Sequence, residues 1–522
     1  MQADHFRGAA LISVSDRTGV AELARALTAA NIELFATAGT RAHLAEHGIP
    51  ARDVGELTGF PSLFGGRVKT LHPLVFGGIL FDRENGAHVI EAAAHDVPRI
   101  DWVVVNLYPF EATVAKPGAT PAEAIEQIDI GGVSLIRAAA KNFAHVGVVV
   151  DPADYGTVVA ALPGAPDPAL RRRLATRAFE RTAEYDASIA RYLEAGFAAS
   201  ELPGSLALTL PLAQPLRYGE NPQSRAAFYL ARTEQLPEQL HGKALSYNNL
   251  LDLDATLRLL VRAPLGSPEV PAQSPLVRAA IVKHTVPCGV AERADAAQAV
   301  RAALEADPVS AFGGIIAVDA PIDLESARSL ATFFLEIVAA PAFEADALAL
   351  LQRKKNLRLI RYRPALPARL ATELRVRSAL GGVLAEDDEP SAPPERWTVV
   401  SQRRPSETEW RDLAFAWDVV RHVKSNGVVI VRDGVTRGVC AGQTNRVSAV
   451  RIAGERAGTF AAGASCASDG FFPFPDGLIA AAEAGATAVI APSGSIRDAE
   501  VIAAADAAGI ALVFSTYRYF LH

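Results

Sequence analysis

Residues 10–40 read ALISVSDRTGVAELARALTAANIELFATAGT. The apolar run Ala10–Val14 meets a small-polar turn, apolar residues then recur at helical spacing from about Val20 to Ala30, and a second β-type run follows over Glu33–Thr37. Strand, helix and strand in that order predict neighbouring parallel strands joined by a crossover helix. Trp102–Asn106 and Val146–Val150 repeat the strand signal further on. After Asp151 the residues Leu170, Leu174, Ala178, Tyr185 and Ile189 fall on one helical face, and this pattern closes a first unit at about Gly196. The segment from Ala198 to Pro215 carries Pro203, Gly204, Pro211 and Pro215 without helical periodicity, so it reads as a connector. The expected domains are residues 1–198 and 199–522.

The second region alternates strands again. Ala279–Val282, Gly314–Val318, Val428–Val431, Val435–Cys440, Ala488–Ala491 and Ala511–Phe514 are separated by Ala-rich helical patterns, and Asp433-Gly434 between two apolar runs predicts a hairpin turn. The acidic and proline-rich run from Glu386 to Pro394 reads as a solvated loop that separates subdomains at about 217–385 and 395–522. No short-period repeat is evident, which argues against a solenoid. The fold class is α/β throughout.

Composition narrows the function. Of 522 residues, 51 are Lys or Arg and 58 are Asp or Glu, a formal charge of −7. That balance leaves no basic excess for nucleic acid, while a local basic pocket for a small anion remains compatible with it. Apolar runs fall short of the roughly 18 residues that span a bilayer, so no membrane partner is expected. Cys288, Cys440 and Cys466 are odd in number and widely spaced, which fits reduced thiols in a cytoplasmic protein better than a disulfide framework or a zinc ribbon. The opening residues Met1–Arg7 lack the basic stretch and apolar core of a signal peptide, and the chain is read as mature and soluble.

Several clusters carry chemistry. Ser13-Val14-Ser15-Asp16-Arg17-Thr18-Gly19, between the first strand and the first helix, offers hydroxyls, backbone N–H groups and an arginine suited to a phosphate, although an N-cap by Asp16 or Thr18 uses the same residue types. Thr37-Ala38-Gly39-Thr40 ends the second strand in a similar way, at the carboxyl side of the sheet where open α/β folds bind ligands. In Gly65-Gly66-Arg67-Val68-Lys69-Thr70-Leu71-His72-Pro73 the paired glycines allow close backbone approach, and Arg67 and Lys69 point the same way if the segment is extended. It lacks the Gly-Lys-Ser/Thr ending of a P-loop. Asn106-Leu107-Tyr108 ends a strand, and Asp129 precedes a Gly131-Gly132 pair that opens a helix reaching Arg137 and Lys141. Asp129 and Lys141 could form a salt bridge, or a lysine of lowered pKa in that Ala-rich helix could carry protons.

In the second region Lys283-His284-Thr285-Val286-Pro287-Cys288-Gly289 follows a buried-type strand, and an imidazole beside a cation favours its neutral, basic form. Arg217-Tyr218-Gly219-Glu220-Asn221-Pro222, Phe312-Gly313-Gly314, Ser425-Asn426, Gln443-Thr444-Asn445-Arg446 and Ser468-Asp469-Gly470-Phe471-Phe472-Pro473-Phe474 add arginines, amides and aromatics, the inventory of a pocket for a phosphorylated heterocycle and a second aromatic ligand. A zinc-deaminase reading of Pro287-Cys288 fails because it needs a second Cys at position 291, which is Ala.

In this order the motifs resemble the bifunctional purine-biosynthesis family that joins an IMP cyclohydrolase to an aminoimidazole-carboxamide ribonucleotide (AICAR) transformylase, and the resemblance runs from Ser13 to His522. It implies a methylglyoxal-synthase-like first domain, two cytidine-deaminase-like subdomains in the second, and a homodimer with transformylase sites at the subunit interface. For the cyclohydrolase it implies nucleotide binding by Ser15, Asp16, Arg17, Thr37, Ala38, Gly39, Thr40, Arg67, Lys69 and Thr70. Asn106, Tyr108, Asp129 and Lys141 would surround the reacting groups, with Lys69 or Tyr108 stabilising the oxyanion and Lys141 moving protons. For the transformylase it implies His284 as general base and Lys283 as charge stabiliser. Arg217, Tyr218, Phe312, Gly313, Glu336, Asn426, Arg446 and Arg518 would lie at AICAR. Val447, Phe471, Asp476, Ser495 and Ile496 would lie at 10-formyltetrahydrofolate, a co-substrate, with Phe520 in a closing C-terminal segment and no metal required.

Four positions depart from the family pattern. Gln223-Ser224 stands where His-Gln is common, Val286 where Asn is common, Arg17 where Lys is frequent, and Pro475 where a basic residue often precedes Asp476. They bear on ligand contacts rather than on reaction class. The competing expectations are a phosphate-binding sensory module, or an enzyme with one of its two sites degenerate.

Overall fold

Five short strands, β1 (Gly8–Ser13), β2 (Ile32–Ala36), β3 (Arg52–Asp53), β4 (Ile100–Val105) and β5 (Gly147–Val149), form the first sheet. Its order is β3-β2-β1-β4-β5, and every neighbouring pair is parallel. Alternation along the strands divides the core into two layers. Leu11, Val103 and Val105 face one layer with Phe110, Leu135 and Tyr185, while Ile12, Trp102 and Val104 face the other with Leu23, Leu27 and Leu44. The long helix Pro168–Ala195 turns Leu174, Ala178 and Tyr185 fully inward and packs Leu170 and Ile189 at its margins, as its periodicity predicts. Strand order reverses between β1 and β4, so the two connections leave on opposite sides and a crevice opens beyond the carboxyl ends of that pair.

This computed structural model describes residues 8–116, 118–162, 167–195, 202, 204–230, 236–262, 276–387 and 397–522. Met1–Arg7, Gly196, Pro203 and the run from Asp388 to Pro394, all of which enter the sequence reading, lie outside them. The chain divides into two units, Met1–Leu210 and Pro211–His522.

In the second unit β6 (Leu212–Leu216) and β7 (Ala226–Tyr229) form a small antiparallel pair. The remaining strands are β8 (Glu238–His241), β9 (Val277–Lys283), β10 (Val286–Arg293), β11 (Ile315–Val318), β12 (Ile337–Ala340), β13 (Arg358–Arg361), β14 (Arg375–Ala379), β15 (Gly382–Glu386), β16 (Thr398–Val399), β17 (Val428–Arg432), β18 (Val435–Cys440), β19 (Ser465–Ser468), β20 (Ala488–Pro492) and β21 (Ala511–Ser515). The strands β14 and β15 pair with each other alone, and the other twelve make one sheet, ordered β16-β21-β20-β19-β17-β18-β10-β9-β11-β12-β13-β8.

That order repeats itself about its centre. Each half has an antiparallel hairpin, β9/β10 or β17/β18, then three strands parallel to one another, then a short antiparallel edge strand. The halves meet through β10 and β18, which are antiparallel. The subdivision expected near residue 390 is therefore spanned by a shared sheet. On one face a single core runs across both halves, from Leu253, Val282 and Ile315 to Trp417, Val429 and Ile490; on the other face each half has its own core. Asp433 and Gly434, with φ of 55° and 64°, make the β17/β18 turn that the sequence predicts.

Candidate functional site

The β1–β4 crevice widens into a cavity of about 620 Å³. Asn106, the first residue after β4, holds its floor. Its side-chain oxygen accepts from the backbone N–H groups of Ser15 (2.5 Å) and Asp16 (2.9 Å), and its nitrogen donates to the Asp16 carbonyl (2.8 Å). Asp16 accepts in turn from the Thr18 N–H at 2.9 Å, a bond that holds its carboxyl below the usual range. Thr40 is buried and accepts from the Val14 N–H at 3.1 Å, which ties β1 to the helix Ala38–Glu46. Thr37 at the head of that helix makes no side-chain cap, so Thr37, Gly39 and Thr40 line the cavity at a helix start suited to an anion. A Cβ on Gly39 would come within 3.2 Å of the Arg17 guanidinium.

On the opposite wall Lys69 Nζ lies 3.3 Å from the Tyr108 hydroxyl. Beside them stands Asp129, whose carboxyl burial pushes upward in pKa against the opposing Gly132 N–H and Lys69 charge. Its side chain accepts from the Gly132 N–H at 2.7 Å, and a Cβ at position 132 would lie 2.4 Å from its other oxygen. Buried Tyr185 fixes the backbone below, accepting from the Asp129 N–H (2.9 Å) and donating to the Gln127 carbonyl (2.7 Å). Thr70 is buried against Gly131.

Two expectations need correction. The segment around Arg67 is not extended: Phe64, Gly65 and Gly66 take φ of 53°, 67° and 100°, and Leu63 bridges Val68 across the tight loop. The paired glycines make that loop possible. Arg67 and Lys69 both still line the cavity, Arg67 ion-paired there with Glu126. Lys141, by contrast, is not brought to it. The helix Gly131–Lys141 points its start at the cavity, its end lies about 15 Å away at roughly 1.5 Å per residue, and Lys141 is exposed. Asp16 and Ala38 belong to the cavity turns without facing the space itself.

In the second unit the strand directions set one sheet edge apart. Lys283 ends β9, Gly313 and Glu336 precede β11 and β12, Asn426 precedes β17, Arg446 and Val447 follow β18, and Phe471, Ser495 and Arg518 follow β19, β20 and β21. The antiparallel pairings place all of these at the same edge. His284 and Thr285 form the turn between β9 and β10, with φ of 55° and 60°. Tight hairpins take positive φ at both central positions and favour Asn-Gly, so an imidazole and a β-branched residue there cost on the order of 1–3 kcal/mol each. Lys283 Nζ donates to the Phe312 carbonyl at 2.7 Å. Burial pushes the thiol of nearby Cys288 up to about 12 and so keeps it protonated.

The expected AICAR residues fall into two groups along this edge. Near His284, Arg217 stacks over Tyr218 (4.5 Å) and Phe312 lies against Phe334 (5.0 Å between rings). Glu336, Arg358, Lys243, Lys354 and Lys355 line a basic cavity of about 560 Å³. Towards the other end Arg446 is buried and pairs with Asp469 and with Ser468 (3.0 Å). The C-terminal segment is laid beside it: Tyr519 N–H donates to the Asp469 carbonyl (2.9 Å), Ser425 N–H to that of Leu521 (2.8 Å), and Arg518 lies over Phe520. Phe471, Phe474 and Ile496 are exposed around Asp476 and Ser495, an apolar surface suited to a flat ring system. Among the described residues no group of three or more His, Cys, Asp or Glu side chains is placed to hold a metal, and no helix is long and apolar enough to cross a membrane.

The sequence reading passed over the helix Tyr247–Arg258. Its Asn249 donates to Glu336 at 2.7 Å, and its Asp252 accepts from the Thr285 N–H at 2.7 Å. The available signal is three polar residues, Asn248, Asn249 and Asp252, at helical spacing just after the capping residue Ser246.

Comparison with known proteins fits this arrangement. Residues 139–456 match the family described as "AICARFT/IMPCHase bienzyme", and residues 19–134 match the "MGS-like domain". Proteins named "Bifunctional purine biosynthesis protein PurH" are similar along nearly the whole length. One from Desulfitobacterium hafniense is 49% identical over 528 residues, covering 98% of this chain and 99% of its own. One from Chloroflexus aurantiacus is 50% identical over 518 residues (98% of each chain), and one from Cereibacter sphaeroides is 48% identical over 533 residues (99% of each).

Proposed function

The chain belongs to the AICARFT/IMPCHase bienzyme family, and from that membership we propose how its two units divide the work. It is a bifunctional enzyme of purine biosynthesis that formylates AICAR and cyclises the product to IMP. The first unit carries the cyclohydrolase. What supports this is the grouping of Lys69, Tyr108 and Asp129 in one cavity beside an uncapped helix start. The helix start and Arg17 hold the phosphate. The carboxamide nitrogen attacks the formyl carbon, and Lys69 and Tyr108 stabilise the charge that grows on the formyl oxygen. Asp129 takes the proton released from the carboxamide nitrogen and passes it to the oxyanion, and the resulting hydroxyl leaves as water with a second proton, the one lost from the formamide nitrogen as the ring C=N bond forms. Because both groups belong to one molecule, holding them in contact contributes several kcal/mol, on the order of the 7–11 kcal/mol that well-oriented intramolecular reactions reach. Proton transfer is assigned to Asp129 and Lys69, since Lys141 stands outside the cavity.

The second unit carries formyl transfer. His284 removes the proton as the AICAR amine attacks the formyl group of 10-formyltetrahydrofolate, and Lys283 stabilises the developing charge. Its two halves are cytidine-deaminase-like subdomains joined at β10 and β18. Within one chain the groups assigned to AICAR are far apart: β9, which leads to His284, and β21, which leads to Arg518, are six strands distant, about 29 Å at roughly 4.8 Å per strand. A homodimer whose second copy sets Asn426, Arg446 and Arg518 against the first copy's His284 makes one complete site from two such edges.

The test follows tetrahydrofolate and IMP separately. His284→Ala is expected to lose formyl transfer and keep cyclisation of supplied formamido nucleotide, and Lys69→Met is expected to do the reverse. Loss of both activities by one folded variant counts against two sites. Loss of cyclisation in folded Lys141→Ala transfers the proton-carrying role to that lysine.

A further inference from the structure

We propose that Asp252 is a positioning residue for formyl transfer, holding His284 in the left-handed turn from which its imidazole reaches the substrate amine. This rests on the reading of His284 as the base. A two-residue hairpin with φ of 55° at His284 and 60° at Thr285 is a conformation that neither residue favours, and β9 and β10 alone offer only the Lys283–Val286 pairing to close it. The missing restraint comes from outside the hairpin. Asp252 Oδ1 accepts from the Thr285 N–H at 2.7 Å, and its carboxylate also lies against the His284 N–H. Asp252 thus receives the backbone donors that a left-handed turn presents together.

The carrier of Asp252 is rigid. The helix Tyr247–Arg258 buries Leu253 and Leu257 in the same core as Val282 of β9 and Ile315 of β11. One turn before Asp252, Asn249 donates to Glu336 at 2.7 Å, and Asn248 donates to the Glu220 carbonyl at 3.3 Å. One helix therefore sets three segments relative to one another: the turn that carries the base, the carboxylate before β12, and the loop after Arg217 and Tyr218. Misplacing a base by an ångström costs rate rather than binding, because the near-attack geometry is lost while the ligand contacts remain.

The experiment measures AICAR formylation and, in the same preparations, cyclisation of supplied formamido nucleotide, for the full-length wild type, Asp252→Ala and Asp252→Asn. Asp252→Ala is expected to lower kcat for formyl transfer at least about thirtyfold, with KM for AICAR within about threefold and cyclisation unchanged. Asp252→Asn, which keeps an acceptor oxygen of the same reach, is expected to stay within about fivefold of wild type. The inference is overturned if Asp252→Ala keeps its kcat within about threefold, if KM rises in step with the fall in kcat, if Asp252→Asn is as impaired as Asp252→Ala, or if cyclisation falls with it. A wild type that fails to formylate AICAR refutes the reading of His284, and a wild type that formylates beside an unaffected Asp252→Ala refutes only the role of Asp252.

Discussion

Lys69 and Tyr108 meet on one wall of the first cavity with Nζ 3.3 Å from the phenolic oxygen, a fixed charge beside a hydroxyl; the proposed cyclisation puts the growing charge of the formyl oxygen there. If the two act on one oxyanion, their effects overlap. Lys69→Met should lower kcat of cyclisation by about 10²–10³ and Tyr108→Phe by about tenfold. The double variant should fall short of the product of the two. Steady-state kinetics on the supplied formamido nucleotide checks this, and strictly multiplicative losses would mean that they serve different steps.

Gly132 leaves room for Asp129. A methyl there would stand 2.4 Å from a carboxylate oxygen, closer than any tolerable contact. Gly132→Ala should therefore displace Asp129 and reduce cyclisation at least about a hundredfold, with formyl transfer by the other unit intact. Equal losses of both activities would point to misfolding instead.

Burial raises the carboxyl of Asp129, so as pH falls it takes up its proton earlier than a free aspartate, whose pKa is about 3.9. The base is present above the raised pKa and lost below it. The kcat profile of cyclisation should accordingly fall on its acid side at a pH above the ordinary aspartate range, and Asp129→Asn should remove both that limb and most of the activity. A limb at or below the ordinary range would contradict Asp129 as the base.

Arg278 on β9 is buried and donates to Asp418 (2.6 Å), which lies in the helix Glu407–Val420 of the other half, and it pairs with Glu292 on β10 at 2.9 Å. Neutralising Asp418 leaves the buried Arg278 with Glu292 as its remaining counterion, at a cost of up to about 3–5 kcal/mol. Asp418→Asn should lower the stability of the second unit by that amount in denaturant titration and leave cyclisation by the folded protein unchanged. A change below about 1 kcal/mol would mean that water reaches the site.

Where the sequence reading succeeded, local pattern and tertiary role coincided. Apolar runs such as Ala10–Val14 and Ala488–Ala491 mark the buried strands β1 and β20 because a short, mostly apolar stretch of this kind already declares them. The cavity turns were legible for the same reason, since Thr37-Ala38-Gly39-Thr40 carries its chemistry within four residues. What escaped depended on partners distant in the chain. Arg358 and Glu336 come together only through the pairing of β12 with β13, and Asp252 meets Thr285 only because a helix packs under a hairpin 33 residues later. Lys141 lies apart for the opposite reason: twelve residues from Asp129 is near in sequence, but the helix Gly131–Lys141 between them carries it away from the cavity.

The symmetry of the twelve-stranded sheet bears on ancestry. Asp319 after β11 and Asp469 after β19 stand at equivalent places, each donating its N–H to the strand beside it, to the Arg278 carbonyl and the Gly427 carbonyl, both at 3.1 Å. Such agreement is what duplication and fusion of one ancestral gene leave behind. Because the two copies meet through their equivalent strands β10 and β18 in antiparallel, the later copy presents the carboxyl ends of its parallel strands to the edge that carries His284, while the earlier one presents their amino ends. At the other pole of the earlier copy Arg262 binds Asp319 at 2.6 Å and Glu292 at 2.7 Å. A lineage that recruited that pole anew would gain a second crevice without disturbing the first.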